Sequence, residues 1–472
     1  MEESQSLGWS NSDTAIVLGL VAIASFAHLW RLGTPNVLVY DEQIYVPEAI
    51  KYLHGESFWE VHPPFALELM AASMRVLGCS LSSWRFAMAA VGTALVPVTY
   101  LLARRMFLAR SAAMLCALMV LGEGKFFQYS RLGLIDIVYV ALGALAYVML
   151  FRFIQVEDPR RRRNALAGMG VALGLCLGSK QATPIVTWML VAGFVVVLVI
   201  KESRAAGLEP AKLIRRIVGV VALVGGLSVL FYVLVFLPNF LFGWWRGFSN
   251  LVEFERLSLW YNTNWSFPTN VASPWWSWPL MLRPFTYSTQ EHDGLLQIVW
   301  SGGNPVEWWA ALAAITIVAI RAVRRAELSC IFLAVGYFVY MAMWIPIPRS
   351  VYIYSYMPAL YIALLALGYV IDLAWRKELS APEEIVLMLP LFAACWFGFD
   401  EPWGAALIFA IAAAYLALLI ARKGPGRFVC VVMLGGCAVA FFYFLPIWVA
   451  APISPTQAAH RLWFSGGMAD WR

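Results

Sequence analysis

Residues 39–45 read VYDEQIY and residues 58–69 read FWEVHPPFALEL, two polar stretches in a chain that is otherwise mostly apolar. Asp41 and Glu42 set two carboxylates side by side just after the first apolar run, where one could accept a proton from an attacking hydroxyl and the other could orient its neighbours. Further ionisable residues recur at the ends of later apolar runs: Arg85, then Arg131 and Asp136, then Lys180 in LGSKQATP. Singly, each is explained as an anchor whose charged head snorkels to the membrane surface. Together they imply more, because charges at membrane depth are costly and turn toward cavities or one another. The set describes an outward-facing cavity with carboxylates and cations on one level, which suits an anionic lipid headgroup meeting an acceptor hydroxyl. The plain alternative for Asp41 and Glu42 is a solvated pair in a loop, since nothing in the local sequence forces either to be buried.

The elements that must hold these residues are membrane helices. Of the 472 residues, 61% are hydrophobic and 13% charged, an excess of apolar residues that places the chain with polytopic membrane proteins. Runs at 14–30, 84–103, 134–151, 183–200, 217–237, 306–320, 327–345, 354–374, 402–420 and 427–447 approach the length that crosses a hydrocarbon core of ~30 Å. Shorter or glycine-interrupted runs at 111–122, 164–178 and 383–399 add further crossings, so the expectation is an all-α bundle of about 11–13 transmembrane helices. The acidic start MEESQS, with no small-residue cleavage site after the first apolar run, argues against a cleavable signal peptide.

Basic residues test that topology, because inner loops retain Lys and Arg. With the N-terminus inside, 21 of the 34 basic residues fall in inner loops, among them Arg104, Arg105 and Arg110, Arg160 to Arg163, and Arg321, Arg324 and Arg325. The net charge of +6 is therefore a topology signal and not a nucleic-acid footprint. The tail disagrees in one detail: it carries Glu2, Glu3 and Asp13 but no Lys or Arg. The seven cysteines fall singly, without metal-ligand spacing, and read as small core residues. No repeat or soluble domain is visible. The expected organisation is one membrane domain, with a core over 1–375 and additional helices over 376–472.

Two longer outer segments, 32–83 and 238–305, collect the polar residues. In the first, 46–55 and 64–78 mix apolar and polar residues at helical spacing and are too short to span, which reads as two interfacial helices. His62-Pro63-Pro64 ends one element and starts the next, because Pro63 keeps His62 out of the helical region and Pro64 suits a first turn. Taken alone, that turn is structural. The second segment, counted on to Trp309, holds ten of the 22 tryptophans. Either they form an aromatic belt at the outer interface, or the segment folds over the cavity as a lid, with Trp276 and Asn304 lining the acceptor path.

RLGTPNVLVYDEQIY, then FWEVHPPFALELM and WRFAMA, resemble the N-terminal half of the protein O-mannosyltransferase family, membrane glycosyltransferases of the GT-C fold. The family has an arginine, an Asp-Glu pair, a D-V-H-P-P turn and an R-F or R-L pair in the same order; here Glu60 takes the place of the Asp before the turn. SRLGLID at 130–136 is similar to the family's S-R-x-x-x-x-D segment, and GSK at 178–180 to its lysine near the fifth helix. WPLMLRPFTY, GNPVEWW and RSVYIYSYMPAL resemble the C-terminal membrane part, with Ser355 where the family usually has His. The ordered set spans roughly residues 20 to 375. The chain has no room for the large Ser/Thr-loop domain of the eukaryotic enzymes, so it resembles the prokaryotic type.

The resemblance implies inverting transfer of a sugar, typically mannose, from a polyprenyl (dolichyl-type) phosphate to Ser or Thr hydroxyls on the extracytoplasmic side of the cell membrane. On that expectation Asp41 is the base, Glu42 orients the acceptor or the neighbours of Asp41, and Arg85, Arg131 and Lys180 bind the donor phosphate. Arg31, His62, Asp136, Trp276, Arg283, Asn304, Arg349 and Tyr354 are the further site candidates. No cofactor is required on this expectation; the dependence on a divalent metal and the oligomeric state stay open. Two rivals remain at this level. Lipid A aminoarabinose transferases share the fold and the early acidic motif, but the His-Pro-Pro turn and GNPxxWW favour protein O-mannosyltransferases. A transporter also puts charges at membrane depth, but no pair of similar halves with broken helices is visible.

Overall fold

The computed structural model describes residues 8–264, 271–398, 401–421 and 423–464. Helix α1 (Asn11–Leu29) is followed by the two short helices α2 (Glu42–His54) and α3 (Phe65–Leu77), which match the two expected interfacial elements. The bundle continues through α4 (Leu81–Phe107), α5 (Arg110–Gly122), α6 (Gly124–Tyr129), α7 (Asp136–Gln155), α8 (Pro159–Leu177), α9 (Ala182–Ala205) and α10 (Pro210–Val235). The second outer segment holds α11 (Leu237–Leu241), α12 (Phe248–Asn264), a 3₁₀ turn over Trp275–Leu280, and the strands β1 (Thr286–His292) and β2 (Leu295–Trp300). Then come α13 (Pro305–Arg325), α14 (Leu328–Ala342), α15 (Met357–Trp375), α16 (Ala381–Gly398), α17 (Glu401–Ile420), α18 (Gly426–Trp448) and the short α19 (Pro455–Ala459).

Ten helices among the described residues are long and apolar enough to cross a membrane. Helices α5, α8 and α14 miss that standard, α5 and α14 because they are short and α8 because Arg160 to Arg163 fill its first turn. Each is joined to a neighbour by a turn of two or three residues that permits only reversal, so all three belong to the alternating bundle. α5 and α6 form one crossing interrupted at Glu123, whose carboxylate accepts from the amides of Lys125 (2.6 Å) and Phe126 (3.2 Å) and so caps α6. The alternation brings the Arg-rich turns to one face and the loops carrying Asp41, His62 and Lys180 to the other.

Helix α15 is the axis of the bundle: its span is buried throughout and packs on α5, α13, α14 and α18. Gly368 permits the close approach of α5, since a Cβ there would stand 2.5 Å from the Cys116 amide nitrogen. Of the acidic residues at the start of the chain, Glu2 and Glu3 lie outside the described residues, and Asp13 has partners. Asp13 is fully buried and paired with Arg104 and Arg110, each at 3.0 Å, with Tyr100 Oη donating at 2.8 Å. The end of α4 and the start of α5 supply the basic residues that the tail lacks. One element lies outside the all-α expectation, the antiparallel β1–β2 hairpin, turned by Asp293 and Gly294 at φ 52° and 74°. Positive φ at both central residues is what a two-residue Asp-Gly turn provides.

Candidate active site

Glu42 and Arg85 form a buried hub beneath the site. Both are wholly buried, with Arg85 Nε to Glu42 Oε1 at 2.8 Å and Arg85 Nη2 to Glu42 Oε2 at 2.7 Å. The remaining donors of the guanidinium go to the carbonyls of Leu32 (3.3 Å), Pro35 (2.9 Å) and Val37 (2.8 Å). The Glu42 carboxylate in turn accepts from the amides of Val39 (2.8 Å) and Gly133 (2.6 Å). One ion pair therefore gathers the loop before α2, the start of α4 and the α6–α7 loop. Arg131 does a similar job next door, donating to the carbonyls of Ala27 (2.8 Å), His28 (3.1 Å) and Arg31 (3.3 Å) at the end of α1. In this geometry Arg85 and Arg131 direct their donors to Glu42 and backbone carbonyls, where the expectation had them on the donor phosphate, and Glu42 orders the loop that carries Asp41, the second of the two roles expected of it.

Tyr40 then turns the chain. It sits at φ 53°, a left-handed conformation that costs a non-glycine residue of order 1 kcal/mol, and its ring packs on Phe285, Tyr287 and Tyr354 at 5.4, 4.8 and 6.2 Å between centroids. Tyr287 comes from the hairpin and is fixed by Lys125 Nζ at 3.1 Å and Tyr129 Oη at 3.0 Å. The turn delivers Asp41 into a cavity of about 430 Å³ at the end of the bundle opposite the Arg-rich turns. Asp136, Lys180, His62, Arg349 and Tyr354 line the same cavity, with Ser355 beside them. Backbone bonds set their relation: the Phe65 amide donates to the Gly178 carbonyl at 3.0 Å, tying the His-Pro-Pro turn to the α8–α9 turn that carries Lys180. Ser258 Oγ of α12 donates to the Val61 carbonyl at 2.5 Å, which brings Tyr261 and Asn262 over the cavity.

Lys180 Nζ lies 2.7 Å from Asp136 Oδ1 and over the rings of Tyr139 and Tyr354, at 5.8 and 5.3 Å. Burial pushes the Asp41 carboxyl up to about 7; Lys180 pulls against that, while Asp136 and Glu60 add to it. Burial, with Lys180 and Arg349 nearby, holds His62 well below its ordinary value, so its imidazole is neutral at pH 7. His62 Nδ1 and Arg349 Nε are buried without a hydrogen-bond partner among the described residues. A neutral-range carboxyl, a lysine and an arginine facing one space can take a proton from a hydroxyl and stabilise a leaving phosphate. Among the described residues no three of His, Cys, Asp and Glu are grouped to ligate one metal ion.

Four candidates, Arg31, Trp276, Arg283 and Asn304, do not line this cavity. Arg31 is exposed and stacked on Trp30 at 5.5 Å. Trp276 is 58% exposed on its 3₁₀ turn, as an interfacial tryptophan would be, and Arg283 is exposed after it. Asn304 is wholly buried, capping α13 through Val306 N (3.2 Å) and reaching the Cys437 carbonyl at 2.9 Å. Trp265, one of the ten outer tryptophans, lies outside the described residues. Sequence reasoning passed over Tyr45 and Glu48, which line the cavity at four and seven residues beyond Asp41. That spacing is one helical face and was open to reading.

This polytopic bundle has the GT-C fold of membrane glycosyltransferases. The sequence profile described as "Dolichyl-phosphate-mannose-protein mannosyltransferase" matches residues 19–84 and 76–249. That of the "C-terminal four TMM region of protein-O-mannosyltransferase" matches 247–466. The chain belongs to the protein O-mannosyltransferase family. It is 24% identical to the polyprenol-phosphate-mannose–protein mannosyltransferase of Mycolicibacterium smegmatis, over 81% of this chain and 85% of that one. Its fold is similar to the Saccharomyces cerevisiae protein O-mannosyltransferase Pmt1-Pmt2 complex bound to the sugar donor, with TM-score 0.78, 14% identity and coverage of 99% and 94%. The undecaprenyl-phosphate complex of ArnT from Cupriavidus metallidurans aligns at TM-score 0.57 and 17% identity, covering 98% and 80%.

Proposed function

We propose that this cavity transfers a mannosyl group from a polyprenyl phosphate to a Ser or Thr hydroxyl of a protein, at the outer face of the cell membrane. The observation that carries the proposal is Asp41, a half-buried residue whose carboxyl, desolvated in a space shared with Lys180 and Arg349, is brought to about 7. The acceptor oxygen attacks the anomeric carbon as the carbon–oxygen bond to phosphate breaks on the opposite face, inverting that centre. The hydroxyl proton passes to Asp41, and the electron pair of the broken bond leaves with the lipid phosphate. Lys180 and Arg349 face the charge that grows there, a contribution typically of about 3–4 kcal/mol per preorganised contact. Asp136 holds Lys180 in place. The names of the relatives support the mannose donor and the protein acceptor, and the Arg-rich turns opposite the cavity support the outward orientation.

The test is transfer of label from polyprenyl-phosphate-mannose to a Ser/Thr peptide by the purified protein in vesicles, with Asp41→Asn as control. Label on the peptide hydroxyl that disappears in Asp41→Asn is the expected result. Label on a lipid acceptor and none on peptide would instead favour a non-protein acceptor, the aminoarabinose-transferase kind of activity. Uptake of the donor without transfer would favour a transporter.

A further inference from the structure

The transfer described above uses Asp41, Asp136, Lys180 and Arg349 and leaves the acidic end of the cavity unassigned. Tyr45 and Glu48 share the face of α2 with Asp41, and at ~1.5 Å of rise per residue the Cα atoms of Asp41 and Glu48 are about 10 Å apart. Helical side chains lean toward the N-terminus, so the Glu48 carboxyl stands closer to Asp41 than that. Tyr45 is 5% exposed; its hydroxyl is within electrostatic reach of Asp41, Glu60, Asp136 and Tyr354, yet it makes no hydrogen bond to any described residue. Glu48 Oε2 is also buried without a partner. Glu60, from the other wall, accepts the His62 amide at 3.2 Å. Trp59 stands at the rim, 53% exposed and edge-on to Tyr261 at 6.3 Å.

We propose that Tyr45, Glu48 and Glu60 form a subsite for the ring hydroxyls of the donor sugar, with Trp59 beside the apolar face of the ring, and so select which hexose is transferred. The inference rests on reading the cavity as a lipid-phosphate-sugar transferase. The Tyr45 hydroxyl and the Glu48 Oε2 atom, both without a protein partner on the face that carries the base, mark where a ligand completes the bonding. Burial and the neighbouring Glu60 raise Glu48 above the ordinary carboxylate range, so the two carboxyls share a proton. A carboxylic acid beside a carboxylate offers a donor and an acceptor, as adjacent sugar hydroxyls require, whereas a basic peptide side chain would call for two ionised groups.

The experiment compares kcat/KM for polyprenyl-phosphate mannose with its 2-, 3-, 4- and 6-deoxy analogues and with the glucose donor, using one peptide and the full chain in vesicles. A site that hydrogen-bonds a hydroxyl discriminates strongly against its absence, and the expected preference for mannose over at least one deoxy donor is ~10²-fold or more. Glu48→Gln, Glu60→Gln and Tyr45→Phe should each cut that preference about tenfold with an unchanged peptide KM. Tyr45→Phe removes a hydroxyl without a protein partner and so leaves the fold intact if a carboxyl variant fails to assemble. Unchanged discrimination in Tyr45→Phe and in any folded carboxyl variant, with a raised peptide KM, would overturn the proposal and give these residues to the acceptor. Donor binding without peptide separates this inference from its foundation. If no mannose is transferred, yet binding still distinguishes mannose from deoxy donors through Tyr45, the subsite stands and the transfer reading falls. If binding shows no such distinction, the subsite falls too.

Discussion

Asp41 and Glu42 are neighbours in the chain and opposites in the fold. Glu42 meets a guanidinium and two backbone amides and is closed off completely, while Asp41, one residue earlier, faces a cavity with Lys180 and is pushed up to about 7 by its burial. The difference teaches how to separate structural from chemical charge at one membrane level. A charge whose partners are all protein holds the backbone; a charge in a cavity beside polar atoms without protein partners, such as Glu48 Oε2, His62 Nδ1 and Arg349 Nε, is free to act on a ligand, as the proposed transfer has it.

The strongest way to break this contrast is to exchange the two carboxylates for amides. Asp41→Asn should lower kcat by 10²- to 10⁴-fold, the usual worth of a general base, with donor binding within a few fold of wild type. Retention of more than about a tenth of wild-type kcat would hand the base role to another group. Glu42→Gln or Arg85→Ala should instead act on the fold, because removing one partner of a buried ion pair typically costs about 3–5 kcal/mol. The expected reading is lost expression or a lowered Tm, with ordinary kinetics in whatever fraction survives. A stable Arg85→Ala protein with selectively weakened donor binding would restore Arg85 to the phosphate site.

Lys180→Ala comes next, with kcat/KM for the lipid-linked donor falling about 10²-fold and the peptide KM little changed, since the lost contact is charge-assisted. The pH profile sharpens the comparison without a mutation of the hub. With Asp41 at about 7, kcat/KM should rise through pH 6–8 as the carboxylate forms, and Asp41→Asn should flatten that limb. Stability should move the other way. Below about pH 4 the group is protonated folded or unfolded; between about 4 and 7 the unfolded carboxyl ionises while the native one does not, so wild-type stability declines with rising pH. Thermal melts of Asp41→Asn should therefore exceed wild type most clearly above pH 7. The smallest effect belongs to Trp276→Ala, with kinetics and Tm close to wild type; a raised peptide KM there would revive the lid.

Much of this was legible beforehand. Apolar runs and basic loops implied the bundle and its alternation, and the interfacial pair α2 and α3 followed from mixed helical spacing around His-Pro-Pro. Some readable signals were passed over: the Asp293-Gly294 dipeptide announces a hairpin, and Asp41, Tyr45 and Glu48 fall on one helical face. The break of a crossing at Glu123 was less accessible, because a lone carboxylate in an apolar run does not say which amides it will cap.

What the sequence by itself determined is the set of charges at the outer level of the bundle, since composition and hydropathy decide which residues can be buried in lipid and which must cluster. Only the tertiary structure decided their division of labour. Arg85, Arg131 and Lys180 look alike in the chain, each a cation at the end of a helix. Which one meets backbone carbonyls and which one lines the cavity beside Asp136 depends on segments more than forty residues away in sequence, through hydrogen bonds such as Arg85 to Leu32, Pro35 and Val37 that no local pattern encodes.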